Sequence, residues 1–401
     1  MLVSIYSNFY NHHQKPLAEE LIKIVGKDNF RFIATEAVPQ ERIEMGYSDM
    51  NRDYSYVLPV YESEENTKKA EKLLEESDIV LIGTVTDDYL KRRLNTGKIT
   101  FKTSERYFKE GLSLHQMPHN FLSAMRHIKR YECYRNYYYL CMSAFTAFDV
   151  NKYADYQDRT FKWGYFPEAK RYDVADMMSR KLSVKSGWKH PKVSILWVGR
   201  LIGLKHPDVS IELAASLKKK GYSFIMSIIG NGEMDQQLRA MIKEKGVSDC
   251  VEMLGAMSPE EVRSHMEQAD IFLFTSDFNE GWGAVLNESM NSGCAVVASH
   301  AIGSVPFLIH NGENGLIYRY GSQSSFEQAV IKLIENRELR ERIGRNAYET
   351  IVKQWNAENA AQRLLELANN LQITGETCFK TGVCSTAKVL SNNWFGEERG
   401  E

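Results

Sequence analysis

Through the second half of this chain, short apolar strands alternate with amphipathic helical stretches at close, regular spacing. That alternation restricts it to folds with a parallel sheet covered by helices on both faces. Residues 193–198, 223–229, 251–254, 270–275, 294–299 and 315–318 read as strands, with helical periodicity between nearly all of them. Ser258-Pro-Glu-Glu261 marks one helix start with a capping Ser, a first-turn Pro and a Glu three residues on. The first half repeats the alternation more loosely, with strands at 2–6, 30–34, 78–82, 99–103 and 137–142 and helices at 16–25, 67–76 and 120–131. The expected fold class is α/β, with two Rossmann-like doubly wound domains. A chain of 401 residues with 43% hydrophobic content has room for both cores.

Loss of the apolar period sets the expected boundaries. We read 1–170 as an N-terminal domain, 171–192 as a linker rich in Lys, Arg, Ser and Gly, and 193–355 as a C-terminal domain. The last of three helices, 356–371, is expected to pack back on the N-terminal domain, and 372–401 reads as a weakly ordered tail. The six cysteines are scattered, with no Cys-x-x-Cys pair, which fits reduced thiols in a cytoplasmic protein and gives no metal site. A formal charge of −2 with interspersed signs argues against nucleic acid as the main ligand. Neither a secretory leader nor an apolar run long enough to span a bilayer is read in the sequence.

The chemistry concentrates around Glu280 and Glu288. A strand ends at Thr275, a loop follows, and a helix starts at Ala284, so the two carboxylates can look toward one ligand although they are eight residues apart. Gly281 and Gly283 flank Trp282 between them and let backbone approach a ligand closely. Amide donors at a helix start suit phosphate, and acidic side chains suit sugar or ribose hydroxyls. Together they suggest a nucleotide-sugar.

Val198-Gly-Arg-Leu201 with Lys205, then Ile229-Gly-Asn-Gly232, then Glu280 to Glu288, then Asn311-Gly-Glu-Asn-Gly315 occur in an order and spacing that resembles the retaining glycosyltransferases of family 4. The resemblance covers residues 194–371 and implies the B-type glycosyltransferase fold, two Rossmann-like domains facing a central cleft. It implies a hexosyl transfer from a nucleotide-diphospho-sugar, UDP- or GDP-linked, to a glycan or lipid-linked acceptor in surface polysaccharide synthesis, with no other cofactor and no metal. On that basis Arg200 and Lys205 would neutralise the donor diphosphate and Glu280 would contact the transferred sugar. Glu288 would hold the ribose, and the backbone of Gly281, Trp282, Gly283 and Ala284 would lie near sugar and phosphate. Gly230 and Gly232 would allow the turn after the second strand. For the Trp282 ring two readings stand: stacking on the ligand, or packing beneath the loop.

The first half departs from that pattern. Where relatives often carry a glycine pair, this chain has Asn8-Phe-Tyr-Asn-His-His-Gln14, so His12, His13 and Gln14 are candidates for an acceptor or phosphate loop. Where many relatives place a histidine facing the sugar, Glu105 and Arg106 stand. Glu105 is a candidate for holding a sugar hydroxyl or receiving the acceptor proton, with Arg106 beside it or beside phosphate; a buried ion pair is the plain alternative. His115, His119 and His127 are nearby substitutes. Phe307 stands where relatives commonly have Glu. Basic residues between 91 and 130 and five tyrosines between 131 and 139 allow either peripheral contact with the inner membrane surface or an ordinary charged helix face and a tyrosine-rich strand. Other functions of the same fold are an epimerase or hydrolase of nucleotide-sugars and a catalytically silent binding subunit.

Overall fold

All strand pairings in the two sheets of this protein are parallel. A computed structural model describes residues 1–40, 43, 48–109, 117–183 and 192–396. They divide into two units, Met1–Glu168 with Asn356–Ser391, and Ala169–Trp355 with the residues from Asn392. The first unit holds β1 (Val3–Ser7), β2 (Phe30–Ala34), β3 (Val57–Pro59), β4 (Ile79–Ile82), β5 (Thr100–Ser104), β6 (Tyr137–Cys141) and β7 (Thr160–Lys162), in the order β3-β2-β1-β4-β5-β6-β7. In the second are β8 (Val193–Val198), β9 (Phe224–Ile229), β10 (Val251–Gly255), β11 (Ile271–Phe274), β12 (Ala295–Ser299) and β13 (Leu316–Tyr318), ordered β10-β9-β8-β11-β12-β13. Both are doubly wound. Strands such as Ile79–Ile82 and Ala295–Ser299 are buried throughout because helices cover both sheet faces, so they appear as unbroken apolar runs.

In each sheet the winding reverses once, between β1 and β4 and between β8 and β11. Loops leaving the carboxyl ends of such a pair diverge to opposite faces and open a crevice, where ligands of doubly wound folds bind. Each unit therefore carries one candidate site by topology alone.

Several elements differ from the sequence expectation. β3 and β7 were unforeseen, since Val57–Pro59 ends in proline and Thr160–Lys162 has polar ends. The stretch read as a linker contains the helix Val174–Ser183, whose Met177 is buried and whose Lys181 ammonium donates to Met266 O and Ala269 O. Residues 184–191 lie outside the described residues. Helix Ala357–Ile373 belongs to the first unit and packs on helix Lys15–Val25. The segment after it does not fit a weakly ordered tail: Cys384 N donates to Lys162 O (2.8 Å), Lys162 N to Ser385 O (2.8 Å) and Ala387 N to Thr160 O (2.9 Å). Its backbone satisfies the open edge of β7, and Val383 and Cys384 are fully buried.

Part of the basic and aromatic stretch turns inward, while Lys91, Arg92, Arg126, Lys129 and Arg130 stay exposed. Arg93 is fully buried, with its guanidinium bonded to the carbonyls of Leu74, Ser77, Asp78 and Ile99 and to the Thr100 hydroxyl. Tyr131, Tyr137, Tyr138 and Tyr139 are buried too. A membrane surface could not reach them. Among the described residues no helix is long and apolar enough to cross a membrane.

Candidate active site

The crevice of the second unit is built where the loops after β8 and β11 meet. Thr275 at the end of β11 takes a hydrogen bond from Trp197 Nε1 (2.8 Å), and its hydroxyl donates to Lys205 O (2.6 Å). Asp277 N donates to Leu204 O (3.1 Å). These bonds hold the two loops side by side, and the Lys205 ammonium meets Glu280 Oε2 directly. Ser276 Oγ donates to the same oxygen at 3.0 Å. Sequence reasoning thus placed both residues in one site, but not in contact with each other. Arg200 is exposed and forms no side-chain hydrogen bond or ion pair with a described residue.

The turn after β9 comes equally close. Gly199 N donates to Ile229 O (3.1 Å) and Leu201 N to Asn231 O (2.7 Å), laying the Arg200 loop along the 230–232 turn. A Cβ on Gly230 would run into Gly199 O, and one on Gly232 into Leu201 O; both glycines also have positive φ. Only glycine fits there.

Trp282 lies under the loop. It is fully buried, its Nε1 donates to Asn287 Oδ1 (2.9 Å), and its ring neighbours Phe307 and Trp355. Of the two readings the packing one holds, so only the Trp282 backbone is left for a ligand. Phe307, standing where relatives carry Glu, stacks on Trp355 at 6.1 Å and completes this aromatic floor. Gly283 (φ 76°) leads into Ala284 and the helix Val285–Asn291. That helix has seven residues. The Glu288 carboxylate accepts no hydrogen bond from a described residue. Burial raises its pKa, with Arg263 partly offsetting this.

Beside these residues stands a cluster not foreseen from the sequence. His206 has φ 47°, and its Nε2 lies 3.2 Å from both Asp277 Oδ2 and Tyr320 Oη. Burial of Asp277 would raise its pKa, but the hydrogen bonds from His206 and Asn279 N outweigh it and hold the carboxyl below its usual range. A non-glycine residue in a left-handed turn was the missing signal, and a sequence does not display φ. His300 follows β12; its Nδ1 accepts from Tyr320 N (3.0 Å), and Trp394 Nε1 donates to its carbonyl (3.0 Å).

The first unit has a cavity of about 1050 Å³ at the carboxyl ends of β1, β4 and β5. His13, Gln14 and Glu105 line it, as do His119 and His127. Gln14 is tied to its own loop, accepting from Asn11 N (3.1 Å) and donating to Ser7 Oγ (3.4 Å). His12 lies against His13, ring centroids 3.9 Å apart, without lining the cavity. Glu105 is paired with Lys109 at 3.3 Å. Arg106 corrects the expectation: it is buried, 3.4 Å from Asp149 and 5.0 Å from the Phe145 ring centroid, and faces neither Glu105 nor the cavity. It is the structural ion pair. His115 lies outside the described residues. No group of three His, Cys, Asp or Glu among the described residues is placed to hold a metal ion.

Residues 178–350 match the family model for glycosyl transferases group 1. The match falls within the second unit, which is thus similar to group 1 glycosyltransferases. The chain is also similar to curated relatives. The amylovoran biosynthesis glycosyltransferase AmsK of Erwinia amylovora is 33% identical over 149 residues, 36% of either chain. LpsE of Rhizobium meliloti, a lipopolysaccharide core biosynthesis glycosyltransferase, is 28% identical over 173 residues, 43% of this chain and 48% of that one. The chain thus spans less than half the length of these relatives. In fold the likeness extends further: a crystal structure of Anabaena HepE in complex with UDP covers 92% of this chain and all of its own at a TM-score of 0.67, with 15% identity. Each unit has the doubly wound α/β architecture expected for a domain of the B-type glycosyltransferase fold.

Proposed function

We propose that this protein is a retaining glycosyltransferase that moves a hexosyl unit from a nucleotide-diphospho-sugar to a glycan or lipid-linked acceptor in surface polysaccharide synthesis. The observation that carries this reading is the charge arrangement in the second unit. An arginine with no ion pair or side-chain hydrogen bond to a described residue and a lysine lie on one loop, the lysine is in contact with Glu280, and a second carboxylate, Glu288, is desolvated without a hydrogen bond from a described residue. A half-buried carboxylate without a donor costs stability unless a ligand hydroxyl supplies one, and a ribose can do so.

In the proposed reaction Arg200 and Lys205 bind the donor diphosphate and stabilise the charge that grows on the nucleotide as the sugar C1–O bond breaks. Glu280, held by Lys205 and Ser276, accepts from a sugar hydroxyl and fixes the sugar. The acceptor oxygen bonds to C1 on the face the phosphate leaves, and the acceptor proton passes to the departing phosphate oxygen. Configuration is retained without a carboxylate nucleophile, and charge neutralisation falls to Arg200 and Lys205 with no metal. Glu105 lines the cavity of the unit proposed to bind the acceptor and can hold an acceptor hydroxyl. Solved relatives of the fold binding UDP make UDP-sugars the first donors to try, with GDP-sugars next. The free thiols at all six cysteines suit a reducing, cytoplasmic compartment.

Thermal stabilisation against UDP, GDP, ADP, CDP and TDP, then the matching nucleotide-sugars, tests the reading. A ligand at a hundred times its dissociation constant adds about 2.7 kcal/mol to the unit that binds it. One nucleotide should shift the melting of the wild type and shift Arg200→Ala and Glu288→Ala far less. A wild type blind to all five nucleotides and their sugars would sink the proposal.

A further inference from the structure

The cavity of the first unit is lined by more cationic chemistry than its own carboxylates use. Helix Pro118–Arg130 turns a polar stripe toward it: His119, Ser123, Arg126, His127 and Arg130 recur at three- and four-residue steps, and all line the cavity. A helix on a doubly wound sheet ordinarily presents apolar residues on its inner side. Lys102, on the interior strand β5, lines the cavity too, and its ammonium donates to Gly83 O after β4.

The cavity's two carboxylates are both engaged. Asp87, the first residue of helix Asp87–Leu94, takes Arg130 Nη1 at 2.9 Å on one oxygen and lies 3.1 Å from His127 Nδ1 on the other. Glu105 is paired with Lys109. Two cations remain uncommitted: Lys102 has three donors and one hydrogen bond, and exposed Arg126 has no ion pair with a described residue. Burial lowers the Lys102 pKa to about 8, with Asp87 working the other way, so the ammonium is held there against a desolvation cost that an incoming anion would relieve.

We propose that this cavity binds a phosphoryl group carried by the acceptor, with Lys102 and Arg126 as its ligands and the Asp87–His127–Arg130 cluster as the frame that orients them. A compact ammonium on a strand and a forked guanidinium on a helix suit a tetrahedral dianion, which offers oxygens in several directions, better than a planar carboxylate. The volume leaves space for a sugar or an alkyl chain beside the phosphate. The word acceptor rests on the function proposed above; the anion site itself does not.

Isothermal titration with glucose 1-phosphate and with octyl phosphate tests this on the full chain, with glucuronate and octyl glucoside as the carboxylate and uncharged counterparts. Lys102→Met and Arg126→Glu should each weaken phosphate binding by about tenfold or more, while Arg200→Ala in the other unit should change it by less than about twofold. Arg126 is exposed, so its replacement reports on binding and not on folding; a retained nucleotide melting shift shows that the Lys102 variant is folded. Tighter octyl phosphate supports the proposal and points to a lipid carrier, and tighter glucose 1-phosphate supports it and points to a sugar phosphate. Phosphate binding indifferent to Lys102 and Arg126, binding lost in Arg200→Ala, or glucuronate held as tightly as glucose 1-phosphate would each overturn it. A wild type that binds phosphate in this way but responds to no nucleotide would discard the transferase reading and leave the anion site standing.

Discussion

The two units share a winding pattern and a topological crevice, yet they furnish those crevices differently. In the second unit the candidate residues sit on three short loops and the first turn of helix Val285–Asn291, the loops drawn together by backbone contacts so close that Gly230 and Gly232 admit no Cβ. In the first, they come from side chains on β5 and on the helices Asp87–Leu94 and Pro118–Arg130, far apart in sequence. A site made by backbone approach prescribes glycines and fixed spacings. One made by long side chains can be assembled from many residue types, and leaves little that a reader of sequence can recognise.

Removing the cations of the second unit should have the largest effect. Arg200→Ala or Lys205→Ala removes a donor from charge that grows in the transition state, for a loss of roughly a hundredfold in kcat/KM. Lys205→Ala also releases Glu280, so kcat should fall further than nucleotide affinity does. If steady-state kinetics with the donor found by melting show less than a threefold change for both, the second unit does not hold the diphosphate here, and its contrast with the first disappears. Glu288→Ala should be milder, about tenfold in nucleotide affinity by titration, because it removes hydrogen bonds to the ribose that exist equally before and during reaction. A kcat effect larger than the affinity effect would move Glu288 from the ribose toward the reacting sugar.

How much was legible follows the same division. Strands and helices of the second unit and the capping box at Ser258 could be read, since periodicity and spacing record them directly, and the contact between Lys205 and Glu280 joins two residues that the motif resemblance had singled out. In the first unit β3 and β7 escaped while the equally short β13 was read, since Leu316–Tyr318 is wholly apolar, Val57–Pro59 ends in proline and Thr160–Lys162 has polar ends. Arg106 misled because a charged residue after a strand looks the same whether it faces a ligand or an internal carboxylate such as Asp149. Trp282 was undecided for a like reason, its ring equally at home on a sugar or over Phe307 and Trp355. Lys102, Arg126 and Arg130 were visible only as a basic bias. Their distribution over β5 and one helix face, which makes them a site, is a property of the tertiary fold.

Backbone-built sites should also tolerate less. Gly230→Ala brings a Cβ against Gly199 O in a conformation that L side chains rarely adopt, and should destabilise the second unit by roughly 3 kcal/mol or more. Arg126→Glu in the first should cost under about 0.5 kcal/mol, as exposed substitutions do. Chemical denaturation followed by a probe in each unit compares them. A Gly230→Ala protein as stable as the wild type would mean that the 230–232 turn can shift, and that its glycines do not define the site.

The smallest effect sought is a difference in how the two units answer to pH. Burial, aided by Arg319, lowers the His300 pKa from 6.5 to about 4, so the folded protein keeps its Nδ1 free to accept from Tyr320 N where the unfolded chain is already protonated. Between pH 6.5 and 4 the unfolded state then binds more protons, so stability rises with pH through that window, and falls as acid is added. From pH 7 to pH 5 the loss attributable to His300 is about 2 kcal/mol. For Lys102 the depression from 10.5 to about 8 puts the corresponding window higher: stability rises from pH 8 toward 10.5 as the buried ammonium loses its charge. Acid should therefore soften the second unit through His300, and alkali should firm the first through Lys102. His300→Asn, which keeps an acceptor near Nδ1 but cannot titrate, should flatten the acid limb of the second unit's melting profile, and Lys102→Met should flatten the alkaline limb of the first. If His300→Asn leaves the acid limb as steep as before, the lowered His300 pKa is not what couples this unit to pH.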